Sequence, residues 1–377
     1  MKRISILVWI LWACFVSVAW GQNKIAWTEF HTPDMMRWNP FETVLNVNNV
    51  GSLQLKWSRR IGGQILSSPA VVDGVVYMGA LNNVYAFSAG ALLWSYATGN
   101  SVLSAPAVAK GVLYVGSFDN NVYALNASTG ALLWSYATGS VVNSSPTVAD
   151  GVVYIGSEDD NLYALNADTG ALLWSYNTGT PVYSSPAVAN GAVYIGEGSG
   201  NLVALSAATG ALLWSTPTGW DYSDFYSSPA VAYGTVYFAG MSNDNAIYAL
   251  NASTGDVLWS YALGTYAWQF CSPAVANGVV YIGDGEGSMT AVNAHTGALL
   301  WSNGTVGPQS SAAVANGVVY VGGGTEVFAL NASTGDVLWS YDTGCASFCG
   351  VYSSPAVLDG VVYIGSDSGL LYAFGLQ

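Results

Sequence analysis

The 377-residue sequence predicts an all-β fold, namely an eight-bladed β-propeller built from four-stranded antiparallel blades. Three observations lead to this prediction. A phrase related to "SSPAV" recurs eight times, each recurrence is followed by short segments rich in Val, Ile, Tyr and Trp, and the two ends of the chain complement each other. The recurrences are spaced by 37 to 44 residues and are marked by Pro69, Pro106, Pro146, Pro186, Pro229, Pro273, Ala312 and Pro355.

Each repeat contains four segments that are too short for helices. In residues 144–176 they read "SSPTV", "GVVYIG", "NLYALNA" and "GALLWSY". A hairpin turn at Asp150-Gly151 separates the first two segments, and a second turn at 168–170 separates the last two. The second segment is apolar on both faces, as expected for a sheet that packs between two neighbouring sheets. The repeat therefore predicts one four-stranded blade rather than a helical solenoid or a β-helix.

The ends of the chain predict how the ring closes. The eighth repeat stops at "LLYAFGLQ" without a fourth segment, whereas a segment of that type, "LQLKWSRRIGG", stands alone at residues 53–63. We expect this N-terminal strand to complete the last blade and so to close the ring. One Trp in each fourth strand is then expected to pack against the next blade: Trp57, Trp94, Trp134, Trp174, Trp214, Trp259, Trp301 and Trp339.

The first residues predict a signal peptide, because a basic start precedes an apolar run and the small residues Ala19 and Gly21. An uncleaved anchor and lipid attachment at Cys14 are the alternatives. No later window approaches the ~20 apolar residues that a membrane-spanning helix needs. We therefore expect a secreted or periplasmic protein with a signal peptide at 1–21, an N-terminal arm at 22–52 and a single propeller at 53–377.

The charge distribution argues against a nucleic-acid partner. The formal net charge is −14, and from residue 61 onward one basic residue, Lys110, stands against 19 acidic residues. Because phosphate contacts need Lys and Arg side chains, binding to a polyanion is not expected. The strong like charge favours a soluble protein, which we expect to be monomeric.

The cysteines predict one local disulfide. Cys345 and Cys349 lie four residues apart in "GCASFCG", between two repeats, and in an oxidising compartment this spacing favours a disulfide. A metal site is the weaker alternative, because two thiols without a nearby His make a poor zinc site. Cys271 is left without a partner, and we expect a buried thiol there.

The repeat residues resemble the pyrroloquinoline quinone (PQQ)-like repeat propellers. The motif of that family is an Ala, an Asp two residues later, Thr-Gly, and a Trp four residues after the Gly. In one repeat it corresponds to Ala164, Asn166, Thr169, Gly170 and Trp174, with Asn in place of Asp. The similarity extends over nearly all of residues 53–374. It implies the propeller fold, because the motif is architectural.

The resemblance implies two different classes of function. Some members are quinoprotein dehydrogenases with PQQ, calcium, a catalytic Asp and a pair of adjacent cysteines. Others are non-enzymatic, including the propeller lipoprotein of the outer-membrane β-barrel assembly machine. This chain has no adjacent cysteines, and after Lys110 it has no basic residue to hold a tricarboxylate quinone. It therefore resembles the non-enzymatic members more closely, and no cofactor is expected, with PQQ and calcium as the alternative.

Catalytic side chains are scarce in the sequence. His295 occupies a turn position that Ser or Asp fills in other repeats, and His31 lies in the arm without a visible partner, so no Ser-His-Asp triad is indicated. Acidic residues in the connectors between second and third segments, such as Asp159 and Asp284, could bind Ca²⁺. None follows an EF-hand pattern, and solvated turns are the preferred interpretation.

Sequence variation indicates a binding face. The turns within hairpins are nearly uniform, whereas the connectors at the opposite face vary and expand to "WDYSDFY" (220–226), "TYAWQF" (265–270) and "CASFCGVY" (345–352). Variable loops on a rigid scaffold usually carry function. The candidate binding face consists of Trp220, Asp221, Tyr222, Asp224, Phe225, Tyr226, Tyr266, Trp268 and Phe270.

Aromatic rings beside carboxylates suit a sugar, a cationic group or a partner protein with a basic patch. The alternative is that these rings pack on one another and cap the channel. The sequence therefore favours a non-catalytic binding or scaffolding propeller. A PQQ-dependent oxidoreductase and a component of an envelope assembly are the other two hypotheses.

Overall fold

The computed structural model describes residues 26–32, 35–218, 227–240, 245–264, 271–284, 286–344 and 350–377. These residues form 33 strands and a single 3-10 turn at Val50–Ser52. The strands are arranged in eight sheets, seven with four strands and one with five. Each sheet contains one blade of four antiparallel strands, and in the five-stranded sheet the arm segment Trp38–Asn39 adds a parallel strand beside Ala313–Ala315. The eight-bladed propeller is confirmed.

Two strands precede the first complete blade: β1 (Trp38–Asn39) and β2 (Gln54–Arg60). Blade 1 comprises β3 (Ala70–Val72), β4 (Val75–Ala80), β5 (Asn83–Ser88) and β6 (Ala91–Ala97), and blade 2 comprises β7 (Ala107–Ala109), β8 (Val112–Gly116), β9 (Asn121–Asn126) and β10 (Leu132–Ala137). Blade 3 comprises β11 (Thr147–Ala149), β12 (Val152–Ser157), β13 (Asn161–Asn166) and β14 (Leu172–Asn177). Blade 4 comprises β15 (Ala187–Ala189), β16 (Ala192–Gly196), β17 (Asn201–Ser206) and β18 (Leu212–Pro217).

Blades 5 to 7 follow the same order along the chain. Blade 5 comprises β19 (Ala230–Ala232), β20 (Thr235–Gly240), β21 (Ala246–Asn251) and β22 (Val257–Ala262). Blade 6 comprises β23 (Ala274–Ala276), β24 (Val279–Gly283), β25 (Met289–Asn293) and β26 (Leu299–Asn303). Blade 7 comprises β27 (Ala313–Ala315), β28 (Val318–Gly323), β29 (Glu326–Asn331) and β30 (Val337–Asp342). Blade 8 contains β31 (Ala356–Leu358), β32 (Val361–Gly365) and β33 (Leu370–Gly375).

The N-terminal strand closes the ring. β2 pairs antiparallel with β33, from Gln54 opposite Gly375 to Arg60 opposite Leu370. Trp57 lies opposite Ala373, in the register that places the other repeat tryptophans opposite an Ala in their own blades. Closure by the first propeller strand is confirmed, and it ties residues more than 300 positions apart into one sheet.

The repeated tryptophans join neighbouring blades. In seven blades the indole Nε1 donates a hydrogen bond to a backbone carbonyl beyond its own blade, as in Trp134 to Ala167, and Trp339 donates to Leu53 beside β2. The Ala167 carbonyl also accepts a hydrogen bond from the Tyr114 hydroxyl. Trp57 packs its ring over Gly90 of blade 1. Each of the eight tryptophans therefore contacts the neighbouring blade, and seven of them also donate a hydrogen bond, which explains why this sequence motif recurs.

The first Ser of "SSPAV" joins adjacent inner strands. The Ser144 hydroxyl donates to the carbonyl of Ser184 in the next blade and accepts the N–H of Gly156 in its own blade. Cys271 occupies this position in blade 6, with Sγ 3.4 Å from the carbonyl oxygen of Ser310. The thiol is buried, and burial raises its pKa to about 12. Cys271 is thus an unreactive substitute for a structural hydroxyl.

Gly170→Ala should destabilise the protein more than Gly151→Ala. Both glycines have positive φ, +71° and +79°, so both substitutions strain the backbone. A Cβ at Gly170 would also lie 2.7 Å from the Trp134 ring, whereas one at Gly151 meets nothing within 4 Å. We expect Gly170→Ala to cost about 1–3 kcal/mol more in urea unfolding. Equal losses for the two variants would contradict the proposed blade contact.

Candidate binding site at the channel mouth

The N-terminal arm lies inside the ring and contacts the inner strands of successive blades. Trp27 exchanges two backbone hydrogen bonds with Val71 of blade 1, at 2.9 and 2.7 Å. Backbone carbonyls of the arm then accept N–H groups from blades 2, 5, 6 and 7, and arm side chains bond blades 3 and 8. In the order of the blades, the partners on the ring are Val71, Val108, Val148, Val231, Val275, Val314 and Val357. The arm therefore occupies the channel at the level of the inner strands.

Arg37 fixes the arm to the last two blades. Its buried guanidinium donates to the carbonyls of Ala312 (2.8 Å), Pro355 (3.3 Å) and Phe30. The guanidinium carbon also lies 4.5 Å from the centre of the Phe30 ring. Burial lowers the pKa of Arg37. The Arg37 guanidinium donates to backbone carbonyls and packs on an aromatic ring, so we interpret Arg37 as a structural group.

Two further titratable side chains of the arm are buried. The Glu29 carboxyl accepts the N–H of Val148 at 3.1 Å, and burial raises its pKa to about 8. His31 lies beside the backbone of Ser185, but neither ring nitrogen makes a hydrogen bond within the described part of the chain. Burial and the nearby Arg37 charge lower the pKa of His31 to about 3. Both groups are uncharged near neutral pH.

A cavity of about 500 Å³ opens above the arm, on the face that carries the variable connectors. Phe30 of the arm contributes to its floor. Its walls come from the connectors between blades and from the serines that begin the inner strands. Besides Phe30, the lining residues are Gln64, Leu66, Ser68, Leu103, Ala105, Asn143, Ser145, Tyr183, Ser185, Ser228, Ser311, Tyr352, Ser354 and Asp367.

The second Ser of "SSPAV" forms a hydrogen-bonded belt around the channel, which is interrupted between blades 1 and 2. Each hydroxyl oxygen accepts the backbone N–H of the equivalent residue in the preceding blade, at 2.8–3.1 Å. The belt runs from Ala105 through Ser145, Ser185, Ser228, Ser272, Ser311 and Ser354 to Ser68. Blade 2 has Ala105 at this position, so seven of the eight positions supply a hydroxyl.

The belt leaves hydroxyl protons available to the cavity. A Ser oxygen that accepts a backbone N–H still carries its own donor proton. Six belt serines line the cavity, and within the described residues no acceptor is recorded for their protons. Ser272 is the belt serine outside the described lining. Six serine hydroxyls of the lining can therefore donate hydrogen bonds to a ligand.

Asp367 adds an acceptor to the wall. It follows β32, its backbone N–H donates to the Gly350 carbonyl at 3.0 Å, and its Oδ1 is buried without a hydrogen-bond partner in the described chain. Gln64 approaches the other carboxylate oxygen at 3.5 Å. Burial raises the pKa of Asp367 above its ordinary value. An unsatisfied buried oxygen favours a ligand that donates a hydrogen bond.

The candidate binding face and the two cysteines that the sequence singled out lie outside the described residues. This applies to all nine residues of the candidate binding face and to Cys345 and Cys349. Ser228, two residues after the connector at 220–226, and Tyr352, the last residue of the connector at 345–352, line the cavity.

Sequence reasoning missed much of the described lining. Leu66, Leu103, Asn143, Tyr183 and Tyr352 all occupy the position directly before the first inner-strand Ser or its equivalent. Aligning the repeats on that position would have identified them, although their connectors are not all expanded. Phe30 and Asp367 had no such signal, because neither belongs to a repeated position with constant chemistry.

The remaining candidates have structural surroundings. His295 is exposed in a turn, where its N–H donates to Asn293 Oδ1. Asp159 accepts hydrogen bonds from Asn161 and from the Tyr163 hydroxyl, and Asp284 accepts the N–H of Ser288. Within the described residues no group of three or more His, Cys, Asp or Glu could hold a metal ion. The same residues contain no helix long and apolar enough to cross a membrane.

Comparison with known proteins identifies the family. A family model described as outer membrane protein assembly factor BamB matches residues 80–244, 178–303 and 243–377. A tetrathionate hydrolase of Acidithiobacillus ferrooxidans is 30% identical over 99 residues, which is 25% of this chain and 19% of that protein. The chain thus corresponds to a small part of that relative's length.

Solved structures support the same fold. BamB from Moraxella catarrhalis superimposes with a TM-score of 0.74 and 20% identity, covering 86% of this chain and 100% of that chain. The quinohemoprotein alcohol dehydrogenase from Comamonas testosteroni superimposes with a TM-score of 0.79 and 18% identity, covering 93% and 80%. At these identities the likeness concerns the fold alone. The family-model match spans most of the chain, and this protein therefore belongs to the PQQ-like repeat β-propeller family that includes BamB.

Proposed function

We propose that this protein is a non-catalytic binding propeller of the cell envelope or exterior that holds its ligand or partner at the channel mouth. The observation that carries the proposal is the walled cavity above the arm, on the face with the variable connectors. Concave, partly apolar cavities with a few converging polar groups are the usual form of binding sites. The proposed location rests on the apolar leader at the start of the sequence.

The chemistry of the lining supports binding rather than catalysis. The described lining contains hydroxyls, two amides, aromatic rings and one carboxylate, and none of these lining residues is His, Cys or Lys. A nucleophile needs an adjacent base, and general acid–base catalysis needs a group that titrates near the working pH. His31 is buried in the arm and titrates near pH 3, so it does not supply that base.

A quinone cofactor fits this cavity poorly. PQQ carries three carboxylates, and such a group is normally held by Lys or Arg side chains. The described lining contains neither, and it presents the Asp367 carboxylate instead. Arg37 lies in the arm with its donors directed at backbone carbonyls. The charges here would repel the cofactor, and we derive no reaction through it.

An envelope-assembly role is the second candidate. The family model bears the description of an outer membrane protein assembly factor, and the whole chain of Moraxella catarrhalis BamB superimposes on this propeller. In that case the occupant of the channel mouth would be a segment of a partner protein.

A photo-crosslinking amino acid at Leu103 should capture the ligand or partner, whereas one at Tyr233 should not. Leu103 lines the cavity, and Tyr233 is exposed in the turn between β19 and β20 at the opposite face. The adducts formed in the producing cells would be identified by mass spectrometry. Equal adducts at both positions, or dye reduction by purified protein supplied with PQQ and Ca²⁺, would refute the proposal.

A further inference from the structure

We propose that the cavity at the channel mouth binds an uncharged polyhydroxylated ligand, that is, a neutral sugar residue or the end of a neutral glycan. This inference rests on the proposed function, since it concerns the same cavity. It goes further by naming the chemical class of the ligand from the hydrogen-bonding groups that the cavity presents.

The donors come from the serine belt. The Ser145 oxygen accepts the Ala105 N–H at 2.9 Å, and the Ser185 oxygen accepts the Ser145 N–H at 3.0 Å. Each of these oxygens accepts within the belt and keeps its own proton for donation, so a matching ligand must offer hydrogen-bond acceptors to several serines. The hydroxyl groups of a sugar are distributed around a ring and can accept these protons.

The acceptors come from the wall. Asp367 Oδ1 is buried without a partner in the described chain, and Asn143 and Gln64 add amide oxygens. A ligand that only accepts hydrogen bonds would leave this carboxylate oxygen unsatisfied. A sugar hydroxyl donates one hydrogen bond while it accepts another, so the same ligand satisfies both the belt and the wall.

The remaining surface is apolar and aromatic. Leu66 and Leu103 lie on one side of the cavity, Tyr183 and Tyr352 extend from other connectors, and Phe30 contributes to the floor. Rings of this kind pack against the C–H face of a sugar. A cavity of about 500 Å³ lies within the range of small-molecule sites, about 300–1,000 Å³, and so offers room for a ligand of this size.

Charged ligands match less well. An anion would find donors in the belt but no cation in the described lining, and it would meet the Asp367 carboxylate in a strongly acidic protein. An organic cation would pair with Asp367 but would leave the serine protons without acceptors. The neutral polyol is the class that satisfies both sets of groups.

The belt supplies a matched pair of variants. Ser145→Ala and Ser272→Ala each remove one belt hydrogen bond, to Ala105 and Ser228 respectively, but of these two serines the cavity is lined by Ser145. Ala105 shows that the fold accommodates Ala at one belt position. Both variants should therefore fold with similar melting temperatures, which makes Ser272→Ala the control for Ser145→Ala.

The test is an array of immobilised neutral, uronic-acid-containing and amine-bearing glycans, followed by calorimetric titration with the strongest glycan. We expect binding confined to neutral glycans, a loss of affinity of about fivefold to tenfold in Ser145→Ala, and no change in Ser272→Ala.

Three outcomes would overturn the inference. They are a preference for acidic or amine-bearing glycans, loss of neutral-glycan binding in Ser272→Ala to the same extent as in Ser145→Ala, and absence of glycan binding altogether. Crosslinking at Leu103 distinguishes the two failures. If it still captures another molecule, the proposed function stands and the ligand class is wrong; if it captures nothing, both fail.

Discussion

The free energy of unfolding should be highest between about pH 4.5 and pH 6.5 and should decrease on both sides of that range. Two buried groups of the arm produce this shape. Burial raises the pKa of Glu29 from 4.5 to about 8 and lowers the pKa of His31 from 6.5 to about 3. The folded protein therefore keeps both side chains uncharged, whereas the unfolded chain ionises Glu29 above pH 4.5 and His31 below pH 6.5.

The decrease on the alkaline side comes from Glu29. Above pH 6.5 the unfolded chain has released the Glu29 proton, and the folded protein retains it up to about pH 8. Because the folded state binds one proton more, stability falls as the pH rises, by about 1.4 kcal/mol per pH unit. The contribution of Glu29 between its two pKa values is about 3–5 kcal/mol.

The decrease on the acidic side comes from His31. Below pH 4.5 the unfolded chain carries a protonated His31, and the folded protein keeps the ring neutral down to about pH 3. The unfolded state now binds one proton more, so stability falls as the pH falls. Between pH 4.5 and 6.5 the two differences cancel, which produces the plateau.

Urea unfolding across pH 3–9 should separate the two groups. Glu29→Gln keeps an oxygen for the Val148 N–H and should remove the alkaline decrease, so that the variant exceeds the wild type in stability at pH 8. His31→Leu should remove the acidic decrease. His295→Gln is the control, since His295 is exposed in a turn and should leave the profile unchanged. A Glu29→Gln profile parallel to the wild type would show that Glu29 is not buried in its neutral form.

A chain that begins at residue 61 should fail to fold cooperatively, whereas one that begins at residue 53 should still fold with a lower melting temperature. The first lacks β2, so β33 would expose an unpaired strand edge and the last blade would have three strands. The second keeps β2 and the closed ring. It loses the arm, whose inner-strand partners would then be reached by water in the open channel.

Circular dichroism melts and hydrogen exchange would compare the two chains. In the chain from residue 53, the amides of β33 should stay protected, because β2 remains paired with them. In the chain from residue 61 they should exchange rapidly. Equal melting temperatures for the two truncated chains would contradict closure of the ring by β2.

Much of the fold could be predicted because the local pattern repeats. In the third blade, "GVVYIG" forms β12 at Val152–Ser157 and "NLYALNA" forms β13 at Asn161–Asn166. Eight copies of the same alternation outweigh the ambiguity of any one short segment. The sequence also showed that the eighth repeat lacks a fourth strand and that a strand of this type stands alone at residues 53–63. Because a closed ring requires every blade to be complete, these two observations predicted the closing strand.

The candidate binding face predicted from the expanded connectors lies outside the described residues and stays a prediction. It was chosen because insertions are tolerated where they do not disturb the blades. The described lining is instead formed by unexpanded positions such as Asn143 and Tyr183, together with the belt serines. A repeated Ser is interpreted as structural from the sequence. Its second role as a hydrogen-bond donor to the cavity depends on how the closed ring brings six of these serines together.

By itself the sequence determined the blade count, the strand order and the closing strand, because these follow from periodic patterning within about forty residues. The tertiary structure alone decided the path of the arm, the neutral state of Glu29 and His31, and the chemistry of the channel mouth. Arg37 bonds Ala312 and Pro355, and Asn39 bonds Val357, across some 300 residues of chain. These residues occur once and match no repeat, so no local pattern shows that the arm lies within the ring. The closed ring brings their partners together and excludes water from them.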